Sequence, residues 1–533
     1  MNFPLTLAHI FERAGRLFPE SGIVSRLPDK SLHRYRYSDF HARAQALISA
    51  LRKLGLKRGE RVATLMWNHY AHLEAYFAVP CAGGVLHTLN LRLAPEDIAY
   101  IANHARDRFL IVDDVLLPLY EKFRASVKFE KVIVVPLSGA RVPAGYEDYE
   151  ALVGVSRAVK LPNLKEDDPA GMCYTSGTTG RPKGVVYTHR ALVLHSLASA
   201  LPDVMGLSNA DTVCPVVPMF HVNAWGIPFS AVMTGSNIAF PGPHLDAVSL
   251  LDLYQSEQVN LTAGVPTIWA GILNALEQEP TRWKLPAGMR MVVGGAAAPE
   301  SMIRAFDRFG LRVIHGWGMT ETAPVATVNY IKSELAGLSG DALYATRAKQ
   351  GVPLPFVEVR ASTGQGEVPW NGETMGELEV RGPWIASGYH DLEEESGKWT
   401  EDGWFRTGDV VTIDAHGYVK ITDRIKDLVK SGGEWISSVD LENALTGHPK
   451  VAEAAVIAVP DAKWGERPLA VIVLKPGQTA TPDELRAHLA PNFAKFWLPD
   501  GFEFVNEIPR TSTGKMLKAK LREQFREWRA TKE

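Results

Sequence analysis

A chain of 533 residues is too long for one compact core, so several packed units, roughly three or four, are expected. Hydrophobic residues at 46% and charged residues at 22% give the composition of a soluble globular protein and set aside the disordered, collagenous and membrane classes. The 57 basic and 60 acidic side chains leave a net charge of −3, which disfavours nucleic acid as the main partner, and three scattered cysteines, Cys81, Cys173 and Cys214, suit neither a disulfide framework nor a zinc cluster.

In chain order, residues 1–22 predict an amphipathic helix interrupted by Arg13 and Arg16, not a secretory signal. No apolar run approaches the length of a spanning helix, and Thr531-Lys532-Glu533 spells no lipidation or organelle signal. The expectation is therefore a cytoplasmic protein without stable membrane insertion. Up to about Asp423, helical patterns alternate with short apolar runs, as layered α/β architecture requires.

The densest chemical signal is Tyr174-Thr175-Ser176-Gly177-Thr178-Thr179-Gly180-Arg181-Pro182-Lys183-Gly184. It follows one apolar run and precedes Val185-Val186-Tyr187, which predicts a loop between two strands. Glycines there let backbone N–H groups approach an anion, and the hydroxyls and lysine add donors and positive charge. Phosphate handling follows. The order is not that of a P-loop, which disfavours a kinase or P-loop NTPase.

Further along, Arg290-Met291-Val292-Val293 reads as a strand and Gly294-Gly295 as a turn. Pro299 reads as a first-turn proline, with Met302, Ile303, Phe306 and Phe309 on one helical face, and Leu311–Ile314 as the next strand: a βαβ unit. Gly294-Gly295-Ala296-Ala297-Ala298 is not a dinucleotide fingerprint.

Asp423-Arg424-Ile425-Lys426-Asp427-Leu428, followed by Ser431-Gly432-Gly433, is the candidate boundary and hinge, although a charged loop inside one domain would read the same way. Beyond it, Ser437-Ser438 are candidate caps for a short helix closed by Gly447. Residues 454–459 and 470–474 are apolar runs, and Thr481-Pro482-Asp483-Glu484 is a capping box. This predicts a small α+β unit. The basic tail from Lys515 to Arg529 reads as a solvated amphipathic helix.

The glycine-rich loop, Gly316-Trp317-Gly318-Met319-Thr320-Glu321, Thr407-Gly408-Asp409, Asp423-Arg424-Ile425-Lys426-Asp427 and Pro509-Arg510-Thr511-Ser512-Thr513-Gly514-Lys515 together resemble the adenylate-forming superfamily of acyl-CoA synthetases, peptide-synthetase adenylation domains and luciferases. The motifs stand in the family's order and span most of the chain. Val217-Pro218-Met219-Phe220-His221-Val222-Asn223-Ala224-Trp225 and the stretch from Ser431 to Ser438 are most similar to medium- and long-chain fatty acyl-CoA synthetases.

The resemblance implies a large N-terminal domain over 1–422, a linker over 423–428 and a small rotating C-terminal domain over 429–533. It implies ATP, Mg²⁺ and coenzyme A as cofactors and a carboxylic acid as substrate, with a homodimer suggested on the same ground alone. Lys515 would bridge the carboxylate and the α-phosphate. Thr175 and Glu321 would contact magnesium. Asp409 would accept the ribose hydroxyls, Arg424 would make a second contact to ribose or phosphate, and Ser176, Gly177, Thr178, Thr179, Gly180 and Lys183 would take the phosphates. Gly294, Gly295, Ala296, Gly316, Trp317, Gly318, Met319 and Thr320 would wall the adenylate, Trp317 replacing the family's common tyrosine and crowding the acyl pocket. His221 and Trp225 would gate that pocket, which Gly294 and Trp317 also line. Lys426 would be the pivot, and Lys430, Gly432, Gly433, Glu434 and Trp435 would meet the CoA channel after rotation.

A non-catalytic nucleotide-binding module would not need magnesium, ribose and lysine positions together. A stand-alone adenylation enzyme would load a separate carrier, and a luciferase-like oxygenase has no feature calling for it. The acid itself stays open between a medium- or long-chain fatty acid and a short or thioether acid such as methylthiopropanoate.

Overall fold

The computed structural model describes residues 2–175, 181–432, 434–511 and 516–528. The amphipathic start forms the helix Leu7–Leu17, which buries Leu7, Ile10, Phe11 and Ala14 at helical spacing. Two largely parallel sheets of nine and seven strands follow, then an antiparallel sheet of five strands. A further sheet joins Val429–Ser431, Glu434–Ile436, Val451–Asp461, Gly465–Leu474 and Gly501–Phe504. The fold is mixed α/β: helices cover the two large sheets as parallel pairing demands, the third sheet is antiparallel, and the last is mainly antiparallel with helices beside it.

The predicted βαβ unit is present. Arg290–Val293 and Arg312–Gly318 pair in parallel, Arg290 opposite Arg312, with the helix Glu300–Arg308 between them. Two details differ from the reading of the sequence. Pro299 caps the helix from outside, in extended backbone, instead of opening its first turn. The second strand runs past Ile314 to Gly318, because beyond the parallel register Gly316 and Trp317 pair antiparallel with Val328 and Thr327.

In the last unit, Ser437 caps the helix Ser438–Thr446 by accepting from Asp440 N, and Thr481 caps Pro482–Leu489 by accepting from Glu484 N. The tail forms the short helix Lys518–Gln524, seated through buried Leu521. Cys81, Cys173 and Cys214 are buried and unbridged. Among the described residues no helix is long and apolar enough to cross a membrane.

Candidate active site

Four parallel strands of the nine-stranded sheet, Thr212–Pro215, Leu261–Gly264, Arg290–Val293 and Arg312–Gly318, end along one edge. The residues just past those ends, Val217, Val265, Gly294 and Met319, line a cavity of about 430 Å³. Open α/β sheets bind ligands in this crevice, outside the carboxyl ends of their strands. A neighbouring cavity of about 310 Å³ shares Gly295, Gly316, Trp317 and Arg424 with the first.

The glycine-rich loop leaves the strand Pro169–Tyr174 and returns as Gly184–Thr188, as predicted. Its neck is closed by Thr175 N donating to Lys183 O at 2.9 Å and Lys183 N donating to Thr175 Oγ1 at 3.0 Å. Thr175 and Lys183 both line the larger cavity, whereas Ser176, Gly177, Thr178, Thr179 and Gly180 lie outside the described residues. The Lys183 ammonium pairs with Glu395 at 2.5 Å and stands 5.2 Å from the Tyr389 ring centroid.

Glu321 faces the same cavity and is only 5% exposed. Tyr389 donates its phenolic hydroxyl to Glu321 Oε1 at 2.6 Å. Burial, then the Glu321 charge, push the Tyr389 phenol well above its ordinary value, so it remains a donor. No motif in the sequence pointed to Tyr389; a lone tyrosine carries no periodic signal, and only the fold brings it to Glu321.

Asp409 is set by β register. The strands Phe405–Ile413 and Val419–Arg424 place it directly opposite Arg424. Arg424 Nε meets Asp409 Oδ1 at 3.0 Å, and the Trp317 indole N–H donates to Asp409 Oδ2 at 2.8 Å. The Asp409 charge, working against burial, raises the Arg424 guanidinium further. Trp317 thus turns its polar edge toward Asp409, and its ring lines both cavities. Gly408, at φ +76°, takes the left-handed turn that aims Asp409 inward, and its N–H donates to Glu377 at 3.1 Å.

The predicted small residues are required sterically. A Cβ on Gly294 would stand 3.0 Å from the Trp225 ring, and one on Gly318 would stand 1.9 Å from Pro324 O. Ala296 lines the smaller cavity, and Gly316, Met319 and Thr320 line the larger one.

His221 and Trp225 close the apolar end of the larger cavity, together with Met205, Val222, Val292 and Val328. Between them lies a feature that the sequence did not announce. Val222, Asn223, Ala224 and Trp225 have φ of 44°, 53°, 47° and 58°, continuing into Gly226 at 75°. A left-handed turn of non-glycine residues costs about 1–2 kcal/mol per residue, so strain is concentrated where Trp225 is held. Gly226 was the single available signal.

Lys426 is exposed and lines both cavities, where partial desolvation lowers its ammonium pKa. Arg510 and Met516 pair across an isolated bridge, and both line the smaller cavity with Gly295, Ala296 and Trp317. Lys515 itself lies outside the described residues, as does Gly433. Lys430, Gly432, Glu434 and Trp435 belong to the hairpin of Val429–Ser431 and Glu434–Ile436 and line neither cavity. Trp435 is 41% exposed.

The AMP-binding enzyme family matches residues 11–390, and the AMP-binding enzyme C-terminal domain matches residues 440–515. A long-chain-fatty-acid–CoA ligase of Thermus thermophilus is 51% identical, covering 99% of this chain and 97% of the relative. A 3-methylmercaptopropionyl-CoA ligase of Ruegeria lacuscaerulensis is 43% identical, covering 99% and 98%. The crystal structure of the anthranilate CoA ligase AuaEII with anthranoyl-AMP superposes with a TM-score of 0.87 at 26% identity, covering 98% of each chain. With both parts of the family matched in order around a cavity at the strand ends, the chain belongs to the AMP-binding enzymes and is an AMP-forming acyl-CoA ligase that uses ATP and CoA.

Proposed function

We propose that the acid activated by this ligase is a medium- or long-chain fatty acid, and that the residues named above carry the two half-reactions. The reading is supported by the 51% identical long-chain-fatty-acid–CoA ligase and by one cavity whose wall combines Thr175, Glu321 and Arg424 with apolar Val222, Trp225 and Val328. A carboxylate oxygen attacks the α-phosphorus and the bond to pyrophosphate breaks. The CoA sulfur then attacks the acyl carbonyl carbon, loses its proton to solvent, and AMP departs with the former carboxylate oxygen.

Each residue has a place in that sequence. Asp409 accepts the ribose hydroxyls, with Arg424 and Trp317 holding its carboxylate in place. Thr175 and Glu321 offer hard oxygen donors on one wall, a set that fits Mg²⁺ taking its remaining ligands from phosphates and water. An Mg²⁺ ion held by them would supply neutralisation of phosphate charge. Lys183 and the glycine-rich loop hold the phosphates, and Lys515 meets the charge that develops between carboxylate and α-phosphate.

A cavity of about 430 Å³ has to take the nucleotide as well as the acyl chain, so the longest chains require Trp225 to swing aside. That keeps methylthiopropanoate as the second reading, supported by the 43% identical relative. CoA-ligase rates measured from propanoate to oleate, with methylthiopropanoate in the series, decide between them. A single maximum at the thioether acid would sink the fatty-acid reading. Trp225→Ala is expected to raise kcat/KM for oleate about tenfold relative to octanoate, measured by thioester formation. An unchanged ratio would remove Trp225 as the gate.

We also propose 1–422 and 429–533 as the two domains, with 423–428 as the hinge. The Lys426 amide donates no hydrogen bond to any described residue, while those of Ile425, Asp427 and Leu428 do. Lys426→Pro therefore fixes φ without breaking a described bond. It is expected to slow thioester formation about 100-fold while pyrophosphate exchange changes less than about threefold. Equal losses in both would argue against rotation at this position. Cytoplasmic location stays part of this reading, supported by three buried, unbridged cysteines.

A further inference from the structure

The strand Val419–Arg424 is joined to the helix Ser438–Thr446 across the proposed hinge by a set of contacts that the reaction steps above do not use. Asp423 Oδ2 accepts from Ser438 N at 2.7 Å and from Ser438 Oγ at 2.5 Å, so the carboxylate of the first hinge residue sits on the first turn of a helix beyond the hinge. Ser437 Oγ donates to Thr422 O at 2.5 Å, and Lys420 pairs with Asp440 at 2.9 Å.

Behind this joint stands Lys518, whose side chain is 10% exposed. Its ammonium donates to Ser438 Oγ at 2.6 Å and pairs with Glu442 Oε1 at 2.6 Å. A serine hydroxyl has one proton. With Lys518 donating to its oxygen, that proton is left for Asp423, and the relay from Lys518 through Ser438 to Asp423 has a fixed direction. Asp423 is in turn bonded to Arg424 N at 2.8 Å. Four residues farther along the helix Lys518–Gln524, Arg522 meets Asp427 at 2.6 Å.

We propose that Lys518 is a positioning residue for the adenylation half-reaction, latching the 429–533 unit to the Val419–Arg424 strand in the orientation that brings Arg510 and Met516 to the cavity. The proposal rests on the reading of Lys515 above, three residues earlier in the chain. The ammonium meets the Glu442 carboxyl directly and the Asp423 carboxyl through Ser438. Burial pushes the Glu442 carboxyl up to about 7, offset by Lys518 and reinforced by Asp423. Burial likewise raises Asp423, against the pull of Lys518. Removing the ammonium would both cut the relay and leave two acids facing each other across Ser438. The latch would then open, an outcome that favours thioester geometry over adenylation geometry.

The test separates the half-reactions in the full-length enzyme. Lys518→Met is expected to lower octanoate-dependent pyrophosphate exchange at least tenfold, while transfer from supplied octanoyl-adenylate to CoA stays within about twofold or rises. Ser438→Ala, which removes the relay but no charge, should show the same split at about tenfold or less, and it decides the matter where Lys518→Met does not fold. Lys518→Arg, which keeps a donor and a charge, should recover part of the exchange rate. Equal losses in both half-reactions, or no loss in either, would overturn the latch. Undiminished exchange in Lys515→Ala would instead overturn the site reading beneath it.

Discussion

Replacing Lys515 with alanine is expected to cut acid-dependent pyrophosphate exchange about 100- to 1000-fold, with transfer from a supplied acyl-adenylate to CoA reduced no more than about threefold. Adenylation brings a carboxylate against a polyphosphate, so it depends on cations that meet charge as it develops in a site with little water. On the cavity wall Arg424 is paired with Asp409, and Lys183, which also meets Glu395, is given to the phosphates in the reading above. A lysine on a flexible stem, delivered from the other side of the hinge, supplies what these cannot. Thioester formation starts from an acyl-adenylate in which the acid has lost its charge to the covalent bond with phosphorus, so no two anions have to be brought together and that cation is needed less. Undiminished exchange in the variant would remove the electrostatic account of the first half-reaction.

The parts of this site that sequence could announce are those with a local cause. Glycines at 294, 316 and 318 are needed because backbone and rings pass too close for a side chain, and a local motif records that need directly. Caps at Ser437 and Thr481 and the unit over 289–314 were legible for the same reason: each is specified within one or two turns of chain. What escaped was made by distant segments. Tyr389 reaches Glu321 across 68 positions, and Lys518 reaches Ser438 across 80. The left-handed turn at 222–226 escaped for another reason, since residues without glycine's freedom give no sign that tertiary packing will force them there. Trp317 shows the limit most plainly. The exchange of tyrosine for tryptophan was visible, and with it the loss of a hydroxyl, but the new indole bond to Asp409 depends on β register in another sheet.

That bond sets up the second large effect. Asp409→Ala is expected to raise KM for ATP about 100-fold, since two charge-assisted hydrogen bonds to a ribose diol would each be worth about 1.5–3 kcal/mol. The cost to stability should be smaller, about 1 kcal/mol, because the Arg424 side chain is 36% exposed and can turn to water once its partner is gone. The informative variant is Asp409→Asn. Both neighbours of the carboxylate, the Trp317 N–H and the Arg424 guanidinium, are donors. An asparagine must present its own NH₂ to one of them, so a substitution conservative in shape places donor against donor in a pocket where Asp409 is 2% exposed. Asparagine should therefore lose nearly as much ATP affinity as alanine, and both variants should lose the preference for ATP over 3′-deoxy-ATP. Adding Trp317→Phe to Asp409→Asn removes one of the opposed donors and should restore part of the loss, a coupling that independent contributions would not give. If Asp409→Asn alone keeps the ATP affinity and the ribose preference of the unmodified enzyme, the carboxylate is a strand-pairing partner for Arg424 and not the ribose acceptor.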